Sequence, residues 1–134
     1  MKFLWLLLLP FWSIVSENNI EGTWQNCSER RTADILIYQQ NGKYYGKIVW
    51  LENPNQTDAQ NPNKGKQNKP LMNQTILGNL SYKGNHKYVD GELYDPKSGK
   101  TYGCTVTFKE NHLELWVHLK GFSWLGKKVK WLKK

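Results

Sequence analysis

The sequence is poor in the side chains that catalysis and metal binding usually need. Its 134 residues hold two cysteines and three histidines, and only 11 acidic side chains stand against 19 basic ones. His86, His112 and His118 fall on separate predicted strands or turns, with no cysteine or carboxylate at ligand spacing, so a metal site has no support. No GxSxG, no HExxH and no phosphate-cradling glycine loop occurs, which removes the familiar hydrolase and nucleotide-binding signatures. Asp90, Glu92 and Asp95 stand close together and offer an acid–base pair, but a turn aspartate beside two solvated acids accounts for them more simply. The expectation is a protein that is not an enzyme, with no cofactor, no metal and no nucleic-acid partner.

Long apolar runs are scarce as well. The one that stands out is Phe3 to Val15, broken only by Pro10 and Ser13. It falls short of the roughly 20 residues that cross a bilayer and fits the apolar centre of a signal peptide behind Met1-Lys2. Cleavage near Ser16 is expected, leaving 17–134 as one exported domain with no stable membrane span. Export would place Cys27 and Cys104 where a disulfide persists. Bridging them closes a long loop, worth about 4 kcal/mol in the chain-entropy view. Cys104 also sits in an apolar alternation that suits a free buried thiol, so both readings stand.

Helical periodicity is missing throughout, and turns and alternation take its place. Asp95, Pro96, Ser98 and Gly99 supply successive turn formers between Glu92–Tyr94 and Thr101–Phe108, which predicts a hairpin. Tyr102, Cys104, Val106 and Phe108 share one of its faces. Asn41-Gly42 predicts a second hairpin, joining Ala33–Gln40 to Lys43–Leu51. Asn19–Ser28 reads as the first strand, and Pro70 to Lys83 holds a short turn or 3₁₀ piece followed by another. His112–Lys120 alternates with Leu113, Leu115, Val117 and Leu119 inward, and Gly121–Trp131 is the last strand. Between Glu52 and Lys69 the composition turns to Asn, Gln, Lys, Pro and Gly, predicting a long solvated loop at one rim. About eight antiparallel strands with no helix predict an all-β, up-and-down barrel, which closes the sheet and removes its edges.

Ile20-Glu21-Gly22-Thr23-Trp24, the runs GKYYGKIVWL at 42–51, DAQNPNKGKQNKPL at 58–71 and GELYDPKSGKTY at 91–102, and Leu125-Gly126-Lys127 with Trp131 together resemble the DUF2147 family of small exported bacterial proteins of unknown function. The chain departs from the family pattern at Met72-Asn73, and Gln40 and Tyr45 stand where members often carry a cysteine pair. The resemblance implies a bacterial cell, with the exported domain periplasmic or secreted, and a lipocalin- or calycin-like barrel, in which Gly22 and Trp24 of the first strand close one end beneath Lys127 of the last. Such folds host many functions, so the likeness supplies none by itself.

Aromatic side chains are in surplus for so small a core. Trp50, Tyr94, Tyr102 and Trp116, with Lys47 as a polar handle, are the expected walls of a pocket for a small apolar or amphiphilic ligand. The alternative is an envelope protein-interaction module that meets an acidic partner through the lysine-rich stretch Lys120–Lys134 and the 52–69 loop. Trp116 separates the two readings: in the lumen it suits a ligand, on the outer face a partner.

Overall fold

The computed structural model describes residues 19–27 and 30–134, the Cys27 side chain excepted, so the expected signal peptide lies outside the described residues. Eight strands follow one another: β1 (Gly22–Cys27), β2 (Arg31–Gln40), β3 (Lys43–Leu51), β4 (Thr75–Gly84), β5 (Lys87–Asp95), β6 (Lys100–Phe108), β7 (His112–Leu119) and β8 (Phe122–Lys133). Each pairs antiparallel with its neighbour in sequence, and β8 returns to β1 to close the barrel. The two hairpins expected from turn chemistry are both present. Asn41 and Gly42 take positive φ (54° and 79°) between β2 and β3, as a tight hairpin of right-handed twist requires. No described helix is long and apolar enough to cross a membrane.

Ile35, Ile37, Ile48, Leu77, Leu80, Cys104, Val106, Leu113 and Leu115 fill the lumen; the inward face expected for β7 is buried through Val117, but Leu119 is exposed, because the β7–β8 register slips between His118 and Leu119. β3 departs from simple alternation. Ile48 and Leu51 are both buried although three residues apart, because the β2–β3 register slips between Asp34 and Ile35. A bulge of this kind turns the following side chain to the other face.

Up-and-down connectivity puts the β1 start, β6 end and β8 end together. At that end Trp24 is buried, its Nε1–H donates to the Ile20 carbonyl at 2.8 Å, and its ring meets Phe108 edge-on at 6.2 Å. The cation over that ring is Lys133, with Nζ 4.8 Å from the centroid; the expected Lys127 lies elsewhere. The reason is length. β8 runs two residues beyond the expected Trp131, and Trp24 pairs with Lys133 across the closing seam. Gly22 has φ +131°, and a methyl there would meet Lys133 Nζ at 2.9 Å. The expected Gly22–Trp24 closure is therefore present, with a different lysine.

Cys104 is a free, buried thiol, and the side chain of Cys27, its expected partner, lies outside the described residues. Burial pushes the Cys104 pKa up to about 12, as desolvation of a thiolate does.

Outside the barrel Asp34 is buried and accepts from Arg31 Nε and Lys134 Nζ, each at 2.9 Å. The Arg31 hydrogen bond, then that of Lys134, holds its carboxyl below the usual 3.8 against the opposing pull of burial. A depressed folded pKa gives stability that is present above the unfolded value and lost as pH falls through the folded one. Asp34→Asn is expected to flatten the acid limb of the stability curve below about pH 4. Urea midpoints on either side of that pH check this; equal acid sensitivity in the two proteins would contradict it.

Candidate functional site

The opposite end of the barrel is open. There β8 begins, and its inward side chains descend from Leu125 through Lys127 and Val129 to the buried Trp131. Together with Leu93 of β5, Tyr102 of β6 and Val117 of β7 they line a cavity of about 500 Å³. That lies within the range of small-ligand sites. The walls are mainly aliphatic and aromatic, and the cations on the cavity are Lys97 and Lys127.

Of the expected wall residues, the structure brings two to this cavity, Tyr94 and Tyr102. Trp50 does not reach it. It pairs with Asp34 just past the β3 bulge and lies on the outer surface, with the Arg31 guanidinium 4.0 Å above its ring. Lys47 falls between the buried Gly46 and Ile48, so alternation turns it outward too. Trp116 stands between the buried Leu115 and Val117, opposite Lys128, and its Nε1–H donates to the Ser123 carbonyl at 2.8 Å. It belongs to the outer face. Lys127, expected at the closed end, is instead on the open cavity. The three histidines are apart: His86 near Phe108, His112 beside Asn111, and His118 packed against Gly103. Glu92 is paired with Lys120, and Asp95 caps its own turn through Lys97 N and Ser98 Oγ, so the neighbouring acids form no pair.

The loop expected at 52–69 is exposed over most of its length, as a solvated loop should be, and the 52–74 connection is pinned to the barrel at a few points. Thr57 bridges to Pro70, Lys64–Lys66 forms a short 3₁₀ turn, and Leu71 is buried in the core. Its anchor is Asp58, a buried carboxylate that accepts from the Tyr94 hydroxyl at 2.6 Å and from Asn61 Nδ2 at 2.8 Å. The β5–β6 turn closes on the same loop. Gly99, at φ +74°, lies so near that a methyl would fall 1.9 Å from the Gln60 oxygen. Tyr94 thus borders both the mouth and a second cavity of about 340 Å³ beneath the loop. Burial, then the hydrogen bond to Asp58 and its charge, push the Tyr94 phenol up to about 12. Asp58 had a signal in the sequence, an Asx residue three before Asn61, but polar composition hid it.

Residues 22–133 match the family model described as "Uncharacterized protein conserved in bacteria (DUF2147)". No functionally curated protein matches the chain. A solved structure described as "Protein HP1028 from the human pathogen Helicobacter pylori belongs to the lipocalin family" superposes with a TM-score of 0.78. It is 23% identical, over 87% of this chain and 83% of that one. At that identity the likeness is one of fold: a closed, eight-stranded, lipocalin-like antiparallel barrel. The family match runs from the first residue of β1 to the last of β8, and the chain belongs to the DUF2147 family.

Proposed function

We propose that this protein is an exported, non-catalytic binding module that holds one small amphiphile in the barrel mouth. The ligand's apolar part would lie against Trp131, Val117 and Val129, and its polar end at the rim near Lys127 and Lys97. One observation carries the reading: a barrel sealed at one end by Trp24 opens at the other onto an apolar-walled cavity of about 500 Å³. Apolar walls with a few charged groups at the opening suit a ligand with one greasy and one polar end. The lipocalin-like fold agrees with this but does not carry it.

A fluorescent fatty-acid analogue titrated into delipidated protein tests the proposal. Val129→Trp fills the cavity from β8 and is expected to weaken binding about tenfold or more, the equivalent of 1.4 kcal/mol. Lys130→Trp, on the outer face of the same strand, is expected to bind as the parent does. Equal affinity in the parent and Val129→Trp, both folded by circular dichroism, would reject the mouth as the site. A second reading, docking of the basic C-terminal face on an acidic envelope partner, is favoured by the outward setting of Trp116 beside Lys128.

A further inference from the structure

The β7–β8 hairpin ends at the rim of the open mouth, and its apolar side chains are bare. Leu119 is 42%, Phe122 49%, Trp124 74% and Leu125 55% exposed. They are four of the six large hydrophobic residues exposed among those described, and they fall within seven consecutive positions. The Phe122 and Trp124 rings meet edge-on at 5.3 Å. Trp116 lies behind them on the outer face, and its hydrogen bond to the Ser123 carbonyl ties β7 to the strand that bears them.

Charge surrounds this tip on one side of the balance. Lys120, Lys127, Lys128 and Lys130 belong to the hairpin, and no acidic side chain occurs from Leu115 to Lys134. The nearby acids are engaged or faced by lysine: Glu92 is paired with Lys120, Glu114 stands opposite Lys130, and Asp95 is held by its own turn. His118 lies against Gly103.

We infer that this hairpin docks the barrel, mouth first, on an anionic lipid bilayer, with Trp124, Phe122 and Leu125 entering the headgroup boundary and the lysines resting on acidic headgroups. Indole and phenyl rings favour the interfacial region of a bilayer. A lysine cluster next to them adds attraction that rises with the content of anionic lipid and falls with salt. The shape favours a lipid surface over a protein groove, because the apolar groups project from a narrow tip and their charged neighbours spread around it. Leu125 and Lys127 belong to both the tip and the cavity, so an amphiphile could pass between bilayer and lumen without crossing bulk water. Docking itself does not depend on the amphiphile reading. The fatty-acid titration and vesicle binding depend on different side chains, and either can fail alone.

Vesicles of phosphatidylcholine and phosphatidylglycerol, mixed with the full chain, provide the test. The apolar stretch Phe3–Val15 has its own affinity for lipid, so the readout must be local to the hairpin. Phospholipids brominated in the acyl chain quench indoles that enter the bilayer; in a chain carrying Trp5→Phe and Trp12→Phe, which silences the apolar stretch, Trp124→Phe is expected to lose a large share of that quenching. Phe122→Ser with Trp124→Ser is expected to weaken binding about tenfold, and Lys128→Gln with Lys130→Gln several-fold, with a reduced salt dependence. Unchanged quenching in Trp124→Phe, or equal vesicle affinity in the double serine variant, overturns the inference. Binding to an acidic protein but not to anionic vesicles overturns it as well.

Discussion

Trp24→Ala is expected to destabilise the barrel by about 3–5 kcal/mol, the range for truncating a buried aromatic side chain. That is a large part of the 5–15 kcal/mol that holds a typical domain together. Three losses coincide at one residue. The indole is fully buried, its N–H satisfies the Ile20 carbonyl, and its ring supports Phe108 from the end of β6. Lys133 lies over the ring but is itself exposed. Its removal as Lys133→Ala should therefore cost only about 0.5–1 kcal/mol, the value for a solvated cation on an aromatic face. Lys127→Ala should leave the urea midpoint where it was, because that side chain is at the opposite end. Chemical denaturation of the three variants ranks them; a Lys127→Ala loss matching that of Lys133→Ala would refute this account of the closed end.

The contrast between the two lysines shows what the amino-acid order could and could not reveal. Turn chemistry is local, so Asn41-Gly42 and the Asp95–Gly99 run placed their hairpins to within a residue. Strand ends are set by long-range pairing. The seam between β8 and β1 joins residues about a hundred positions apart, and nothing near Trp131 announces that Leu132 and Lys133 continue the ladder. Strict alternation likewise cannot foresee the slip that places both Ile48 and Leu51 inside and leaves Trp50 beneath Arg31 on the surface. Trp116 is a different case. The same alternation that put Leu113, Leu115 and Val117 inside already turned it outward, and only the surplus of aromatic residues suggested a pocket wall. Two of the five expected wall residues, Tyr94 and Tyr102, were thus readable, while Val117, Val129 and Trp131 look in the sequence like ordinary core.

Asp58→Ala is expected to cost about 2–3 kcal/mol, as removal of a carboxylate that accepts two buried hydrogen bonds does. It should also loosen the mouth. Without Asp58 the Tyr94 hydroxyl and Asn61 Nδ2 lose their shared acceptor, and the 52–74 connection keeps Leu71 but not its polar anchor. Tyr94→Phe removes the same contact from the other side. Because one interaction is broken in each, the double variant should cost less than the sum of the singles, and that shortfall is the coupling of loop to barrel wall. Additive losses would mean that the two side chains act independently. The phenol provides a second, pH-dependent reading of this contact. Its folded pKa is raised to about 12, chiefly by burial and then by Asp58, from the usual 10.0. A proton held more tightly in the folded state gives stability that is complete below pH 10 and lost as the pH rises toward 12. Tyr94→Phe should therefore make stability less steep across that alkaline interval, while Asp58→Ala should let the phenol ionise earlier in an ultraviolet titration.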